Sequence, residues 1–353
     1  IATGAASAKE TMNGALATRY SVDIVAMGDD ISQQMVKDVA DINGVSDTLY
    51  APAVSVTLEK ADGTQPTSAL LVGVKNIDQV KQVMRANLGN ASIDSDGVLM
   101  PTYNAQTGKE LQFANGTADF STEWNQDGDA TRSLTLQANQ ADYRRVSAQY
   151  GAVGFVDESH FTNGDLDAAT HVLLVKADTD KSGVSVDGIY NDMQAALEKS
   201  TDATVTGPIA ERIVWAKMID SMMMLLVGLI AVAVLIALVG VANTLSLSVI
   251  ERTRESATLR AIGMTRGQLR ASLAIEALLI SLVSGIAGIL LGTLFGWLGA
   301  YVVFSLYGTV VFPFEWGVNG IVLAVAAVAA LLASIAPARR AVKVPPVEAL
   351  AEA

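Results

Sequence analysis

The residues that most often do chemistry are few in this sequence, and they form no recognisable site. Cysteine is absent, which excludes thiol nucleophiles and thiolate metal sites. His160 and His171 have no partner at metal-ligand spacing, so we interpret both as surface or packing residues. The run from Asp178 to Gly183 imitates the start of a calcium loop, but Ile189 occupies the twelfth position, where a bidentate glutamate is required. We therefore expect neither a metal site nor catalytic residues.

ATP hydrolysis is also not expected of this chain. The phosphate-binding pattern G-x-x-x-x-G-K-[ST] does not occur, since Gly108-Lys109 is followed by Glu110. A nucleotide would have to be bound by another chain or another region. The 353 residues include 24 basic and 36 acidic side chains, and most of the acidic ones precede residue 218. Because such a surface repels phosphate backbones, nucleic acid is not an expected partner.

Apolar stretches in the last third of the sequence predict three membrane-spanning helices. No residue from Ser221 to Ile250 is charged, and about 20 apolar residues suffice to cross a bilayer. We place the spans at 221–249, 271–294 and 317–337, the last ending at Pro337. The segment 295–316 is rich in aromatic residues, which suits a loop at the membrane–water interface.

The distribution of basic residues predicts the orientation of these spans. Segment 250–270 carries five arginines, and the tail 338–353 carries Arg339, Arg340 and Lys343, whereas 295–316 has no lysine or arginine. By the positive-inside rule, the first two segments are cytoplasmic and the third is extracytoplasmic. Residues 1–206 and a helical stalk at 207–220 then lie outside as well. Because a folded domain needs an export signal, we expect a further span before Ile1 and four spans in the intact unit.

The first 206 residues predict an extracytoplasmic α+β domain with two βαβ halves and a β-rich insertion. Strand-like alternation and helical spacing follow one another near both ends of this region. The middle, residues 90–165, is rich in glycine, aspartate, threonine and short strand patterns. The expected elements are strands at Tyr20–Met27, Val45–Leu58, His171–Lys176 and Ala203–Thr206, and helices at Ile31–Ala40 and Val186–Leu197.

The segment between the first two spans carries the most specific motif of the chain. It reads ERTRESATLRAIGMTRGQLR from Glu251 to Arg270 and resembles the signature of the FtsX-like permeases, the family that includes the MacB-type ABC transporter permeases. Ser256 and Ala257 depart from the common Ile-Gly, and Pro345 in the similar closing motif stands where aspartate is usual. The resemblance covers roughly residues 205 to 351.

This resemblance implies a dimeric permease, with a second copy or a homologous repeat, that works with two cytoplasmic ABC ATPase subunits. ATP and Mg²⁺ would be bound by those ATPases, and this chain would need no cofactor. A short charged helix beneath the membrane would dock on them, although arginines there could also serve only topology and lipid binding. The implied coupling residues are Glu251, Arg252, Arg254, Glu255, Leu259, Arg260, Gly263, Thr265 and Arg266.

A ridge of small residues on the second span predicts close helix packing. Side chains of this kind at every fourth position let another helix approach, within one subunit or across a dimer. The ridge consists of Ser284, Gly288, Gly292, Gly296 and Ala300.

Three functions remain open at this stage. The first is a permease in a bacterial cytoplasmic membrane that moves its extracytoplasmic domains for export or extraction of a hydrophobic or peptide-like substrate. The second is a signalling permease that controls a cell-wall hydrolase through an extracytoplasmic protein partner. The third is a membrane-anchored binding protein without an ATPase.

Overall fold

The computed structural model describes residues 1–59, 66–124, 130–251, 263–306 and 308–343. The chain divides into two compact units. One consists of Asn13–Trp215 and is called the α+β domain below. The other combines Ile1–Met12 with Ala216–Ala353 and is called the helical unit.

The described part of the α+β domain contains nine strands, and four short α-helices lie between them. The strands are β1 (Ile24–Gly28), β2 (Val45–Glu59), β3 (Thr67–Val74), β4 (Gly97–Pro101), β5 (Thr117–Trp124), β6 (Ala130–Ala141), β7 (Ala152–Asp157), β8 (Thr170–Ala177) and β9 (Thr204–Thr206). The helices are α2 (Gln33–Ala40), α3 (Ile77–Val83), α4 (Ser159–Thr162) and α5 (Val186–Ala196), and a 3₁₀ turn covers Ala114–Gly116. A further helix, α1 (Ala2–Arg19), precedes β1.

Six of these strands close into a ring. Strands β3, β7, β4, β6 and β5 pair in that order, and β2 pairs with both β5 and β3. Closure removes free sheet edges, which would otherwise be open to association with other chains. The interior is filled by apolar side chains that include Leu58, Leu71, Met100 and Phe120, each 1 % exposed or less.

The sheet continues beyond the ring from the first half of β2. There β8 pairs antiparallel with both β2 and β1, and β9 pairs antiparallel with β1. Two segments of the domain, β1-α2-β2 and β8-α5-β9, each consist of two strands joined by a helix. They are interleaved, because β8 lies between β1 and β2, and β1 lies between β8 and β9. This strand order is that of the split βαβ arrangement.

The helices of the interleaved part cover one apolar core. Val39 from α2 and Met193 from α5 are fully buried against Ile24 and Leu173 of the strands. Both helices begin at a serine whose side chain accepts a hydrogen bond from a backbone N–H of the first turn, Ser32 from Met35 and Ser185 from Gly188. These N-caps satisfy donors that a helix start otherwise leaves without partners.

The described residues of the helical unit contain three long helices. They are α6 (Pro208–Glu251), which starts in the α+β domain, α7 (Arg266–Phe304) and α8 (Trp316–Lys343). In the described residues, Pro208–Gly240 and Arg266–Phe304 are long and apolar enough to cross a membrane, with mean hydropathies of 3.1 and 2.3. In α8 the apolar stretch is the shorter Trp316–Leu332.

Several element boundaries differ from the sequence-based expectation. Residues 2–19 are helical, so the first strand begins at Ile24 and not at Tyr20. The first part of the expected loop 295–316 is helical, because α7 continues to Phe304. Helix α8 continues through Pro337 to Lys343, since an apolar helix tolerates the loss of one backbone donor.

Candidate functional site

The expected coupling segment is described only at its two ends. Arg252, Arg254, Glu255, Leu259 and Arg260 lie outside the described residues, and of Glu251 only its place at the end of α6 is known. The described residues resume at Gly263 and include the second half of the motif. That half contains the last three expected residues.

Gly263, Thr265 and Arg266 together form the start of α7. Gly263 has φ +115°, a conformation that suits glycine, and a Cβ there would meet no atom of the described residues within 4 Å. Thr265 is the N-cap, and its Oγ1 accepts a hydrogen bond from the backbone N–H of Gln268 at 3.2 Å. The side chain of Gln268 accepts from the N–H of Thr265 at 2.8 Å, which completes a capping box. Arg266 is the first residue of the helix.

An apolar contact reinforces this helix start. Met264 precedes the N-cap and packs against Leu269 in the second turn, together with Leu273. Leu269 is only 4 % exposed. Contact between these two positions is a hydrophobic staple, which fixes the angle at which the chain enters the helix. The order Gly, Thr, Gln, Leu in the motif thus specifies a turn and a fixed helix start.

Sequence reasoning did not single out Met264, Gln268 or Leu269, although the signal was available. A threonine followed three residues later by glutamine, just before an apolar run, is the usual signature of a capping box. The coupling hypothesis concentrated on charge and therefore passed over these residues.

The small-residue ridge on α7 does not behave as one surface. A Cβ at Gly288 or Gly292 would meet no other atom of the described residues within 4 Å. A Cβ at Gly296 would lie 3.3 Å from the backbone N of Gly4, so α1 crosses α7 there at close range. Ala300 is buried, at 5 % exposure.

A close approach between α7 and α8 occurs beside the expected ridge. A Cβ at Gly285 would lie 2.8 Å from Leu323 Cδ2, too close without movement of that side chain. Ser284 instead borders a cavity of about 310 Å³ between α6, α7 and α8. The cavity is almost wholly apolar, and its lining includes Val234, Leu238, Ala277, Ile280, Ala326 and Ala330.

A polar contact joins α1 to the segment between α7 and α8. Ser7 Oγ donates a hydrogen bond to the carbonyl oxygen of Val311, and the N–H of Val311 donates to Thr11 Oγ1 at 3.1 Å. Both hydroxyl side chains are almost fully buried. Trp297 Nε1 donates to the carbonyl of Pro313 at 3.0 Å and further holds this segment. Sequence patterns do not indicate the two hydrogen bonds to Val311, because they join residues about 300 positions apart.

The residues first examined for chemistry have structural partners instead. His160 is buried, with Nδ1 2.9 Å from Asp165 Oδ2 and Nε2 2.6 Å from the carbonyl of Ser95. His171 stacks on Tyr50, with ring centroids 5.2 Å apart. Asp178 caps its own turn by accepting a hydrogen bond from the N–H of Asp180. Within the described residues, no group of three or more His, Cys, Asp or Glu side chains could hold a metal ion.

Comparison with known sequences assigns the region that contains this site. The sequence model of the family described as FtsX-like permease C-terminal matches residues 227–346, which include the motif and most of α6, α7 and α8. The C-terminal region belongs to the FtsX-like permease family.

Curated proteins similar to this permease include ABC transporter permeases from bacteria and an archaeon. The macrolide export ATP-binding/permease protein MacB of Nitrobacter winogradskyi is 32 % identical over 36 % of this chain and 19 % of its own length. The permease YknZ of Bacillus subtilis is 32 % identical over 37 % of this chain and 32 % of its own length. The permease MJ1507 of Methanocaldococcus jannaschii is 30 % identical over 33 % and 30 %. The chain thus spans less than a third of each of these relatives.

Two solved structures resemble the chain at 10 % sequence identity. The periplasmic region of MacB from Actinobacillus actinomycetemcomitans covers 56 % of this chain and 94 % of its own, with a TM-score of 0.30. The extracellular domain of the transporter YknZ from Gram-positive bacteria covers 52 % and 100 %, with a TM-score of 0.28. At these TM-scores the likeness carries no argument, so the assignment to the permease family depends on the C-terminal sequence. Residues 227–346 are accordingly of the ABC permease type, and the chain also carries an α+β domain.

Proposed function

We propose that this chain is the permease subunit of an ABC transporter and passes motion from partner ATPases to its α+β domain. The ATPases would bind ATP and Mg²⁺ at the cytoplasmic face, and this chain would hydrolyse nothing. It would work with a second permease copy or a homologous repeat in a bacterial cytoplasmic membrane. Three spans in the present sequence, and four in the intact unit, would leave the α+β domain outside.

The observation that carries this proposal is the fixed start of α7 behind an arginine-rich segment. The capping box of Thr265 and Gln268 and the staple of Met264 and Leu269 fix the direction in which this helix begins. A force applied to the preceding segment would therefore reach α7 without being lost in a flexible joint. Five arginines between Glu251 and Arg270 supply the charge for docking on another protein.

The output we favour is export or extraction of a hydrophobic or peptide-like substrate. The similar MacB proteins are macrolide export proteins, which supports a transport output here. The signalling alternative, control of a cell-wall hydrolase, uses the same coupling and differs only in the extracytoplasmic partner. A membrane-anchored binding protein would need no ATPase, so co-purification of an ATPase subunit separates it from both.

The coupling proposal is tested by the double variant Glu255→Ala with Arg260→Ala. Loss of paired charges at an interface typically costs a few kcal/mol, so stimulation of the partner ATPase in reconstituted membranes should fall at least about 10-fold. The matched control is Glu198→Ala with Lys199→Ala, which also removes one acid and one base, from exposed positions of the α+β domain. This control should stimulate like the parent.

Correct insertion of the double variant is verified by thiol labelling, for which the chain has no cysteine background. An impermeant reagent applied to intact cells should modify a cysteine at position 187 and spare one at position 256. The opposite pattern would contradict the proposed orientation. If the double variant inserts correctly and still stimulates the ATPase like the parent, the coupling role of these two residues is wrong.

A further inference from the structure

A buried tyrosine contacts the first turn of α6 where this helix leaves the α+β domain, and the N–H of Ile209 also donates to the Asp23 carbonyl there at 3.3 Å. Tyr20 follows the last residue of α1 and is 5 % exposed. Its hydroxyl donates a short hydrogen bond to Glu211 Oε1 in the first turn of α6. Both residues belong to the α+β domain, and α6 runs on from there past Trp215. This hydrogen bond therefore joins the body of the domain to the helix that leaves it.

Tyr20 itself is anchored firmly to the sheet side of this contact. Backbone hydrogen bonds join the residues on either side of Tyr20 to Arg145. The N–H of Ser21 donates to the Arg145 carbonyl at 3.0 Å, and the N–H of Arg145 donates to the Arg19 carbonyl at 3.2 Å. The Arg145 guanidinium lies over the Tyr20 ring, 5.5 Å from its centroid, and also donates to the carbonyl of Ala105 at 2.6 Å. Tyr20 is thus a fixed point.

The hydroxyl of Tyr20 remains a donor throughout the physiological range. Burial, and then the hydrogen bond to Glu211, raise the pKa of Tyr20 well above its ordinary value. A neutral phenol donating to a carboxylate forms a charge-assisted hydrogen bond, which is stronger than one between neutral groups.

The first turn of α6, which carries Glu211, has the features of a hinge. Gly207 precedes the helix with φ +102°, and a Cβ there would lie 3.1 Å from the carbonyl oxygen of Asp23. Ile209 and Ile213 pack into the apolar core beneath α2 and α5. Apolar contacts of this kind are non-directional and permit small rotations, whereas a hydrogen bond fixes one geometry.

Open space lies beside this hinge. A cleft of about 630 Å³ is bordered by Leu16 and Ala17 of α1 and by Pro208, Ile209 and Arg212 of α6. Arg85 also lines the cleft, and it donates to both carboxylate oxygens of Asp23 and to the carbonyl of Ala177. The start of α6 therefore has room to move on the side where packing does not restrain it.

From these contacts we infer that Tyr20 is a positioning residue whose hydrogen bond to Glu211 latches the first turn of α6 to the α+β domain. The inference rests on the proposed function, in which α6 passes motion between the membrane and the domain. Release of the latch would let α6 rotate at Gly207 into the cleft. A latched helix would transmit a displacement to the whole domain, whereas an unlatched one would absorb it at the hinge.

The test measures the distance across the cleft in the full chain, in lipid nanodiscs and without any ATPase. Ala17 and Arg212 are exposed and line the cleft from α1 and α6, so cysteines there can carry spin labels. The parent should give one narrow distance distribution. Tyr20→Phe keeps the ring beneath Arg145 and removes only the hydroxyl, so it should broaden the distribution or add a second population. A hydrogen bond to a carboxylate should bias the latched state on the order of 10-fold.

Two further variants complete the test. Glu211→Gln retains an oxygen acceptor without the charge and should broaden the distribution less than Tyr20→Phe. Tyr103→Phe removes a hydroxyl from an exposed tyrosine of the same domain and should change nothing. Melting temperatures identify a variant that has lost its fold, in which case Glu211→Gln decides. A distribution in Tyr20→Phe as narrow as in the parent overturns the latch.

Failure of the latch can be distinguished from failure of the proposed function. The distance measurement needs no partner, so it reports on Tyr20 and Glu211 alone. If the distances respond but the chain stimulates no ATPase, the latch stands as a property of the domain and the proposed function is wrong. If the ATPase is stimulated equally by the parent and by Tyr20→Phe and the distances do not respond, only the latch is wrong.

Discussion

The two units of this chain place the same apolar residue types in opposite environments. In the α+β domain, large side chains such as Phe120, Phe155 and Leu174 are 1 % exposed or less. In the helical unit, Leu235 of α6 is 63 % exposed and Val302 of α7 is 72 % exposed. An exposed apolar surface of this extent is unfavourable in water and ordinary in lipid. The exposure of apolar side chains thus indicates water around the α+β domain and lipid around the helical unit.

Both units also bury polar side chains, and those of α1 make contacts within the helical unit. In the helical unit, Thr3, Ser7 and Thr11 on one face of α1 are among the most buried residues, at 5 %, 0 % and 1 % exposure. Ser7 and Thr11 both hydrogen-bond to the backbone of Val311. A lipid-facing unit gains nothing by turning hydroxyls outward, so they are used for contacts between its own segments.

Truncation of one large side chain in each unit should give the largest contrast. Phe120→Ala removes a side chain from the closed ring and should cost about 3 to 5 kcal/mol of domain stability. Leu235→Ala removes a side chain that meets no packed core in the described residues, so its cost should stay within about 0.5 kcal/mol. Chemical denaturation of the chain in detergent, followed by hydrogen exchange of each unit, measures both.

The opposite result would be informative in either unit. A small cost for Phe120→Ala would mean that the ring collapses around the cavity. A large cost for Leu235→Ala would mean that this face of α6 packs against a helix of another subunit or of a longer chain.

Local patterns in the sequence predicted the parts of the α+β domain that depend on local physics. The period-two alternation gave the strands near both ends, and the serines before α2 and α5 begin helices for the usual capping reason. Closure of the ring could not be predicted, because it depends on pairings such as β4 with β7 between distant segments. Helix α1 was missed because its alanines, glycines and threonines give little apolar periodicity.

The contacts of the candidate site and of α6 also differ in whether the sequence predicts them, because some depend on local patterns and others join distant segments. The spacing of Thr265 and Gln268 is a local signal, and it suffices to predict where α7 begins. The hydrogen bond between Tyr20 and Glu211 joins residues 191 positions apart, and no sequence pattern in either segment predicts it. The small-residue ridge was predicted from helical spacing, but spacing cannot tell which of its members meets a neighbour. That depends on how α1 and α8 cross α7.

Substitutions at two glycines of α7 should distinguish helix contacts within this chain from contacts with another chain. Gly285→Leu forces a side chain against Leu323, so it should reduce thermal stability in detergent by about 1 to 3 kcal/mol. Gly292→Leu adds the same side chain where the described residues leave open space, so the isolated chain should tolerate it. If Gly292→Leu leaves the monomer stable and abolishes assembly in the membrane, the middle of the ridge is an interface with a second copy. If both variants melt alike, the distinction between the two positions is wrong.

The smallest expected effect concerns the response of the two units to acid. Asp165 accepts hydrogen bonds from His160 and Asn163, which hold its pKa below the ordinary value. A carboxylate with a lowered pKa in the folded state contributes stability above the unfolded value of about 3.9, and this contribution is lost as the pH falls through the lower folded value. Because the Asp165 side chain is 43 % exposed, solvent screening keeps the contribution small.

Asp165→Asn keeps the shape of the side chain and removes its titration, so the variant should lose stability at neutral pH and lose less than the parent on acidification below about pH 4. Asp192→Asn removes one exposed carboxylate from α5 and is the matched control. Hydrogen exchange at a series of pH values, corrected for the intrinsic exchange rate, reports the stability of each unit separately. The changed acid response should appear in β7, α4 and β4, which surround His160, and be absent from α7. An equal response in α7 would mean that the two units unfold together, and the contrast between them would then describe their surroundings and not their stability.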